Sequence, residues 1–284
     1  MDTARRYVLV TGASSGLGKA TVLHLCELGF HVFATVRRES DGDALVRAAG
    51  ARLSPVYLDM TDGPSLARAA ELVDRTTGPD GLWALVNNAG ICVSGPLESL
   101  PITQLREQLE TNLVGQLALT QALLPSLRRA RGRIVNVTSG LGKIALPFMG
   151  AYAAAQFAKE AASDALRREL RPFGIHVALV RPGAVMTPIW SKIQDRAGET
   201  RPRVDPAYAA DYEAFLANNE ASARRSVTTP EDFAKAVAHA ITARRPRIRY
   251  AVGTDSWISG VVARILPDAA LDALLLRTMG RRTR

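Results

Sequence analysis

Tyr152 is the residue of this chain best suited to do chemistry. A phenol ionises near pH 10, so it moves protons at neutral pH only where its surroundings lower that value; it then suits proton transfer to or from a carbonyl or alcohol oxygen. Ser139, thirteen residues earlier, follows an apolar segment, and its hydroxyl can hold the same oxygen. Gln156 stands at i+4 from Tyr152 in an Ala-rich stretch that favours helix, so the two side chains share a face and can serve one ligand. A cation at that position would lower the tyrosine, and Gln156 is a neutral amide. Lys159 lies on the same stripe at i+7, about 4.5 Å further along the helix axis than Gln156.

The elements that must position these residues alternate between strand and helix. Tyr7 to Val10 is a short apolar strand running into Thr11-Gly12-Ala13-Ser14-Ser15-Gly16-Leu17-Gly18, with a helical stretch to Leu28 behind it. Glycines at such a junction let a phosphate approach the backbone, where free N–H groups at the helix start attract negative charge. The position predicts a dinucleotide site at Gly12, Ser14, Ser15, Gly16, Leu17 and Gly18. The second strand, His31 to Val36, ends in Arg37 and Arg38. A carboxylate there suits the ribose 2′-hydroxyl of NAD, whereas a guanidinium pairs with the 2′-phosphate of NADP, so NADP(H) is the expected cofactor. A third strand ends at Leu58-Asp59-Met60, with Asp59 also placed to cap a helix beginning near Pro64.

The fourth strand, Leu82 to Val86, precedes Asn87-Asn88-Ala89-Gly90, and a long helix runs from about Ile102 to Leu127 with Asn112 inside it. A fifth strand covers Arg133 to Thr138, and a sixth, Ile175 to Val180, ends in Arg181-Pro182-Gly183-Ala184-Val185-Met186-Thr187-Pro188. Residues 189–227 read as polar and irregular with short helical pieces, long enough to act as a lid. Thr229 caps a helix over Pro230 to Ala243, Arg249 to Val252 reads as a last, edge strand, and the 257–279 tail holds two apolar helical stretches broken at Pro267. This order predicts an α/β fold, a doubly wound, Rossmann-like parallel sheet in a single domain 1–284, with the lid at 189–227 and a C-terminal helical extension at 255–284.

The G-x-x-x-G-x-G spacing of the first loop, Asn87-Asn88-Ala89-Gly90, the phrase Thr111-Asn112-Leu113-Val114-Gly115, Ser139 with Tyr152, and Pro182 to Thr187 together resemble the short-chain dehydrogenase/reductase family over about residues 6–255. The resemblance implies roles. Tyr152 is the acid/base, Ser139 holds the substrate oxygen, and Asn112 kinks its helix and supports a water in a proton relay. Asp59 and Met60 meet the adenine, Asn88, Ala89 and Gly90 support the cofactor, and Pro182, Gly183, Val185 and Thr187 run along the nicotinamide. The family's Tyr-x-x-x-Lys lysine, which holds the nicotinamide ribose and lowers the tyrosine pKa, is replaced by Gln156. An amide still bonds a ribose hydroxyl, but loss of the cation leaves the phenol higher by one to a few units, a rate loss of about tenfold to a thousandfold. The resemblance also implies a homodimer or homotetramer through the two long helices.

The leading expectation is an NADP(H)-dependent oxidoreductase working between a carbonyl and a secondary alcohol. Leu141, Ile144, Leu146, Phe148, Met149 and Trp190 are expected to line an apolar pocket for a bulky, hydrophobic small-molecule substrate. Gln156 keeps two rivals open: a non-redox enzyme such as a dehydratase, epimerase or cyclase, and a non-catalytic NADP-binding or regulatory protein. The net charge of +9 is not clustered into a nucleic-acid motif and better suits an anionic cofactor. For the tail, core packing or a subunit contact is preferred to attachment at a membrane surface helped by Arg277, Arg281, Arg282 and Arg284. Cys26 and Cys92 read as buried reduced thiols, and the scattered His24, His31, His176 and His239 suggest no metal site. Met1 to Arg6 lead straight into a strand, and no apolar run reaches the length of about 18 residues that spans a bilayer, so a cytoplasmic protein is expected.

Overall fold

A computed structural model describes residues 6–278. Strands β1 Tyr7–Val10, β2 His31–Val36, β3 Leu53–Tyr57, β4 Ala84–Asn87, β5 Arg133–Val137, β6 His176–Pro182 and β7 Arg249–Val252 form one parallel sheet in the order β3-β2-β1-β4-β5-β6-β7. Helices α1 Gly16–Glu27, α2 Glu39–Ala49, α3 Gly63–Thr77, α4 Ile102–Leu109, α5 Gly115–Ala130, α6 Gly150–Glu169, α7 Ile189–Thr200, α8 Pro206–Arg225, α9 Pro230–Thr242, α10 Thr254–Ile265 and α11 Asp268–Thr278 connect and cover the strands.

The sheet is buried on both faces because its strands are apolar at odd and even positions alike. Val8, Val10, Val32 and Ala34 pack with Val22 and Leu25 of α1 and Phe233 and Val237 of α9. Their neighbours Leu9 and Phe33 point the other way, to Leu66 and Val73 of α3 and Leu119, Leu123 and Leu127 of α5. Truncating one such leucine to alanine costs about 2–5 kcal/mol. Strand order reverses between β1 and β4, and the crevice beyond their carboxyl ends is where open α/β sheets hold ligands.

Three readings are corrected. Residues 189–225 are not irregular: α7 and α8 occupy nearly all of the stretch, and Ile193, Ala197, Tyr212 and Leu216 form a small core of their own with Cys92, Phe148 and Met149. The cap of α3 is Asp62, which accepts from Ser65 N at 3.1 Å, while Asp59 accepts from Thr61 instead. The tail helices α10 and α11 break at Pro267 as expected, but they do not join the main core; Trp257 and Ile265 are exposed. Arg281, Arg282 and Arg284 lie outside the described residues.

Thr229 caps α9 in a reciprocal box with Asp232, and Cys26 and Cys92 are buried free thiols, both as the sequence suggests. No helix among the described residues is long and apolar enough to cross a membrane.

Candidate active site

Every catalytic and cofactor-binding candidate named from the sequence lines one pocket of about 1100 Å³ at the carboxyl ends of the strands. At one end lies the loop after β1. Gly12 and Gly16 take left-handed backbone with φ of +67° and +55°, and a side chain at Gly18 would put its Cβ 2.2 Å from Gly12 O and 2.6 Å from Asn88 Nδ2. Glycine is therefore required there by space as well as conformation. The loop is pinned from both sides: Gly12 N donates to Thr35 Oγ1 at 3.1 Å, and Asn88 Nδ2 donates to Thr11 O at 2.9 Å and Gly12 O at 3.2 Å. Thr11, a residue the sequence reading passed over, accepts from Asn88 N and Ala89 N at 2.9 Å each, so it ties this loop to Asn-Asn-Ala-Gly.

Ser15, the N-cap of α1, makes no side-chain cap bond, and the first turn of that helix has no acid. The helix start thus turns its donors and its positive dipole end into the pocket, which fits a pyrophosphate. Arg37 and Arg38 stand exposed at the rim beyond β2, with Arg38 Nε 3.3 Å from Asp41. Hydrogen bonds from Thr61 hold the Asp59 carboxyl below its ordinary value, and Arg37 adds to this.

Helix α6 carries Tyr152 and Gln156, the candidates for proton transfer and ribose binding. Burial pushes the Tyr152 hydroxyl well above its usual range and neighbouring Cys92 adds to the rise, while side-chain hydrogen bonds with Ser139 and Gln156 pull it back. Gln156 is buried, and its Oε1 has no hydrogen-bond partner among the described residues. A ribose hydroxyl donating to that oxygen would satisfy it. Burial also raises Cys92 to about 12, so it is a thiol at neutral pH.

Asn112 sits in a π-helical turn, Glu110–Val114, that joins α4 to α5. Its amide clamps the Ile91 backbone, accepting from Ile91 N and donating to Ile91 O at 2.9 Å each. Gln108 does the same one step earlier, accepting from Val93 N at 2.7 Å and donating to Ile91 O at 3.0 Å, and Gln116 donates to Ala89 O. These three buried amides at four-residue spacing fix the 89–93 loop at the pocket floor; the spacing was the signal in the sequence, and only Asn112 was singled out.

The far half of the pocket is apolar. Leu141, Ile144, Leu146, Met149 and Trp190 line it as expected, whereas Phe148 turns away to pack, tilted and edge-on, against Tyr212 and Phe215 at ring-centroid distances of 5.5 Å each. Sequence reasoning missed the opposite wall, built by Phe215 and Leu216 of α8, Ile258 and Val262 of α10, and Leu271, Leu274 and Leu275 of α11. It also missed two polar ties. Arg196 of α7 pairs through both guanidinium nitrogens with Glu107 of α4 at 2.7 Å each, and Asp255 of α10 accepts from Ala184 N at 2.6 Å in the turn after β6. Within α6, Glu160 is buried; burial alone would raise its carboxyl, but Arg181 at 2.6 and 2.5 Å outweighs it, helped by Lys143 and Thr138, and holds it below the ordinary value.

The family model for short chain dehydrogenases matches residues 6–198. The chain is 41% identical over 275 residues to a 3-amino-tetrahydro-pyrrolizinone reductase of Xenorhabdus hominickii, covering 94% of each chain. It is 37% identical to mouse retinol dehydrogenase 5, covering 95% of this chain and 87% of the relative. Against the NADPH-dependent 3-dehydrocapnine reductase of Ornithobacterium rhinotracheale it is 32% identical, over 98% of this chain and 99% of that one. Among solved structures, a short-chain dehydrogenase from Streptomyces avermitilis superposes with a TM-score of 0.81 at 29% identity, covering 99% and 98% of the two chains. A Burkholderia cenocepacia short chain dehydrogenase in complex with NADP gives 0.74 at 26% identity, covering 97% and 99%. Fold, motif order and relatives agree: the chain belongs to the short-chain dehydrogenase/reductase family.

Proposed function

We propose that the protein is an NADP(H)-dependent oxidoreductase acting on a carbonyl or secondary alcohol of a bulky hydrophobic substrate. One observation carries the reading: Tyr152, close to Ser139 and Gln156, stands where the phosphate-loop half of the pocket meets its apolar half. When bound, the nicotinamide supplies or takes the hydride. Ser139 holds the substrate oxygen and Tyr152 passes the proton to or from it. Gln156 Oε1 accepts from the ribose, and Asn112 keeps the 89–93 loop in place beneath it. Pro182, Gly183, Val185 and Thr187 orient the nicotinamide ring. Gly12 to Gly18 with the start of α1 hold the pyrophosphate, Asn88, Ala89 and Gly90 back the cofactor, and Asp59 with Met60 flanks the adenine.

Arg37 and Arg38 favour NADP over NAD, which the NADPH-dependent relative and the NADP-bound structure support. The apolar far wall favours a large substrate with little polarity, and a relative named for retinol is in keeping with that. Residues 189–227 act as the lid, and a homodimer or homotetramer assembles through the α4–α5 run and α6, where Val114 of the π turn and Phe157 are exposed.

The test is to follow NADPH absorbance and products together with a panel of bulky ketones, NADH run in parallel. Stoichiometric NADPH consumption supports the reductase. Substrate conversion without NADPH consumption points to non-redox chemistry, and binding without conversion to a regulatory role; either result ends the reading.

A further inference from the structure

Lys159 is buried at 5% exposure, yet no carboxylate among the described residues pairs with it. A lysine in that state is rare, because burial disfavours the charged form unless something replaces its water. Its ammonium donates to Val137 O at 2.6 Å and Asn87 O at 3.3 Å, which uses two of its three N–H groups.

The side chain lies in the wall between two spaces. On one side is the large pocket; on the other is a cleft of about 20 Å³ between α5 and α6. That volume takes one water. Two buried amide oxygens of the cleft lining, Asn87 Oδ1 and Gln116 Oε1, have no hydrogen-bond partner among the described residues. One water placed there would accept the third N–H of Lys159 and donate to both oxygens, making the three bonds typical of an internal water.

Building on the reductase reading above, we propose that Lys159 is a positioning residue that charges the pocket floor from behind, hydrated by a cleft water bound to Asn87 and Gln116, so that the site keeps a cation without a lysine at position 156. The groups facing Lys159 are neutral: Asn87 and Asn136 from β4 and β5, Asn112 from the π turn, Gln116 and Thr120 from α5, and Ser163 from its own helix. Glu160, one residue on, is committed to Arg181, and the large pocket on the other side is lined by Tyr152 and Cys92 among its titratable groups. Burial is the cause that lowers the lysine, to about 7, so its charge changes across the neutral range: present below that value, lost above it.

The experiment is a pH titration of Cε-labelled lysine by NMR, practical because the chain has five lysines, with NADP+ affinity measured alongside. The signal absent from Lys159→Met should titrate far below the ordinary lysine value and move up by about one unit on adding NADP+. By the same linkage NADP+ binds about fivefold more weakly at pH 9.5 than at pH 7 in the parent protein, and equally at both in Lys159→Met. Gln116→Leu removes a water anchor, lowers the midpoint further, and serves as the variant if Lys159→Met does not fold. A lysine signal indifferent to both NADP+ and Gln116→Leu, or a pH dependence of affinity retained in Lys159→Met, overturns the proposal. None of these readouts needs turnover, so failure of the reductase reading shows separately, as NADP+ binding without ketone reduction in any variant.

Discussion

Gln156→Lys tests how Tyr152, the proposed acid/base, is set. Tyr152 and Gln156 are neighbours one turn apart on α6, so a new ammonium would stand about 5–6 Å from the phenol oxygen. At an effective dielectric of about 20 that charge is worth about 3 kcal/mol, or about two pKa units. Lys159 is seven residues along the axis, about 10 Å away, and contributes about 1.7 kcal/mol by the same rule while charged. Two ammonium groups one turn apart repel, so the new lysine displaces the proton on Lys159 and the net gain near neutrality is about 1.3 kcal/mol, roughly tenfold in rate. Above the Lys159 midpoint of about 7, where the parent loses its own cation, the gain grows toward a hundredfold, about 3 kcal/mol. Steady-state NADPH oxidation with one bulky ketone across the neutral to alkaline range measures this. Equal rates for the two proteins at every pH, with NADPH binding intact in both, would refute the role given to a cation beside Tyr152.

Gly18→Ala should cut NADPH affinity more than tenfold in a fluorescence titration while leaving the protein folded, because the added Cβ meets Gly12 O at 2.2 Å; unchanged affinity would show that the loop yields. Replacing Arg37 and Arg38 together by alanine should cost NADPH about tenfold to a hundredfold in affinity, as expected for charged hydrogen bonds to a phosphate, and leave NADH unaffected; equal losses for both cofactors would remove the 2′-phosphate assignment. Because the folded-state pKa of Lys159 lies below that of the unfolded chain, the unfolded state binds the extra proton between about 7 and 10.5, and this group makes stability rise with pH across that window. Lys159→Met should therefore be the more stable protein at pH 7, by as much as about 4–5 kcal/mol, and lose that advantage by pH 10.5 in urea melts; a variant less stable at both pH values would mean that the ammonium is well solvated.

The sheet was legible because each strand ends in residues whose types are hard to explain otherwise: glycines after β1, arginines after β2, Asn-Asn-Ala-Gly after β4 and Pro-Gly after β6. Boundaries moved by one or two residues, as at β4, which starts at Ala84 rather than Leu82. Helix α8 stayed hidden because only Tyr212, Leu216 and Ala223 of its twenty residues are buried, too sparse for a clear 3.6-residue period. The buried face of α6 is polar. Gln156, Lys159, Glu160 and Ser163 are all buried: carbonyls at the ends of β4 and β5 take the Lys159 ammonium, and Arg181 supplies the countercharge to Glu160. Polarity predicts exposure only when no such partners wait inside.

Asp255 has a consequence for how this protein can diversify. Its hold on Ala184 joins the turn proposed to orient the nicotinamide to α10, while the family model's match ends at residue 198, within α7. The residues proposed for proton transfer thus precede residue 198, while much of the pocket's apolar far wall follows it. Random mutagenesis confined to α8, α10 and α11 should change which molecules are accepted and leave the proton-transfer machinery alone, whereas altering Asp255 would unsettle both. A lineage can explore new substrates through its carboxyl-terminal third, provided that one carboxylate is kept.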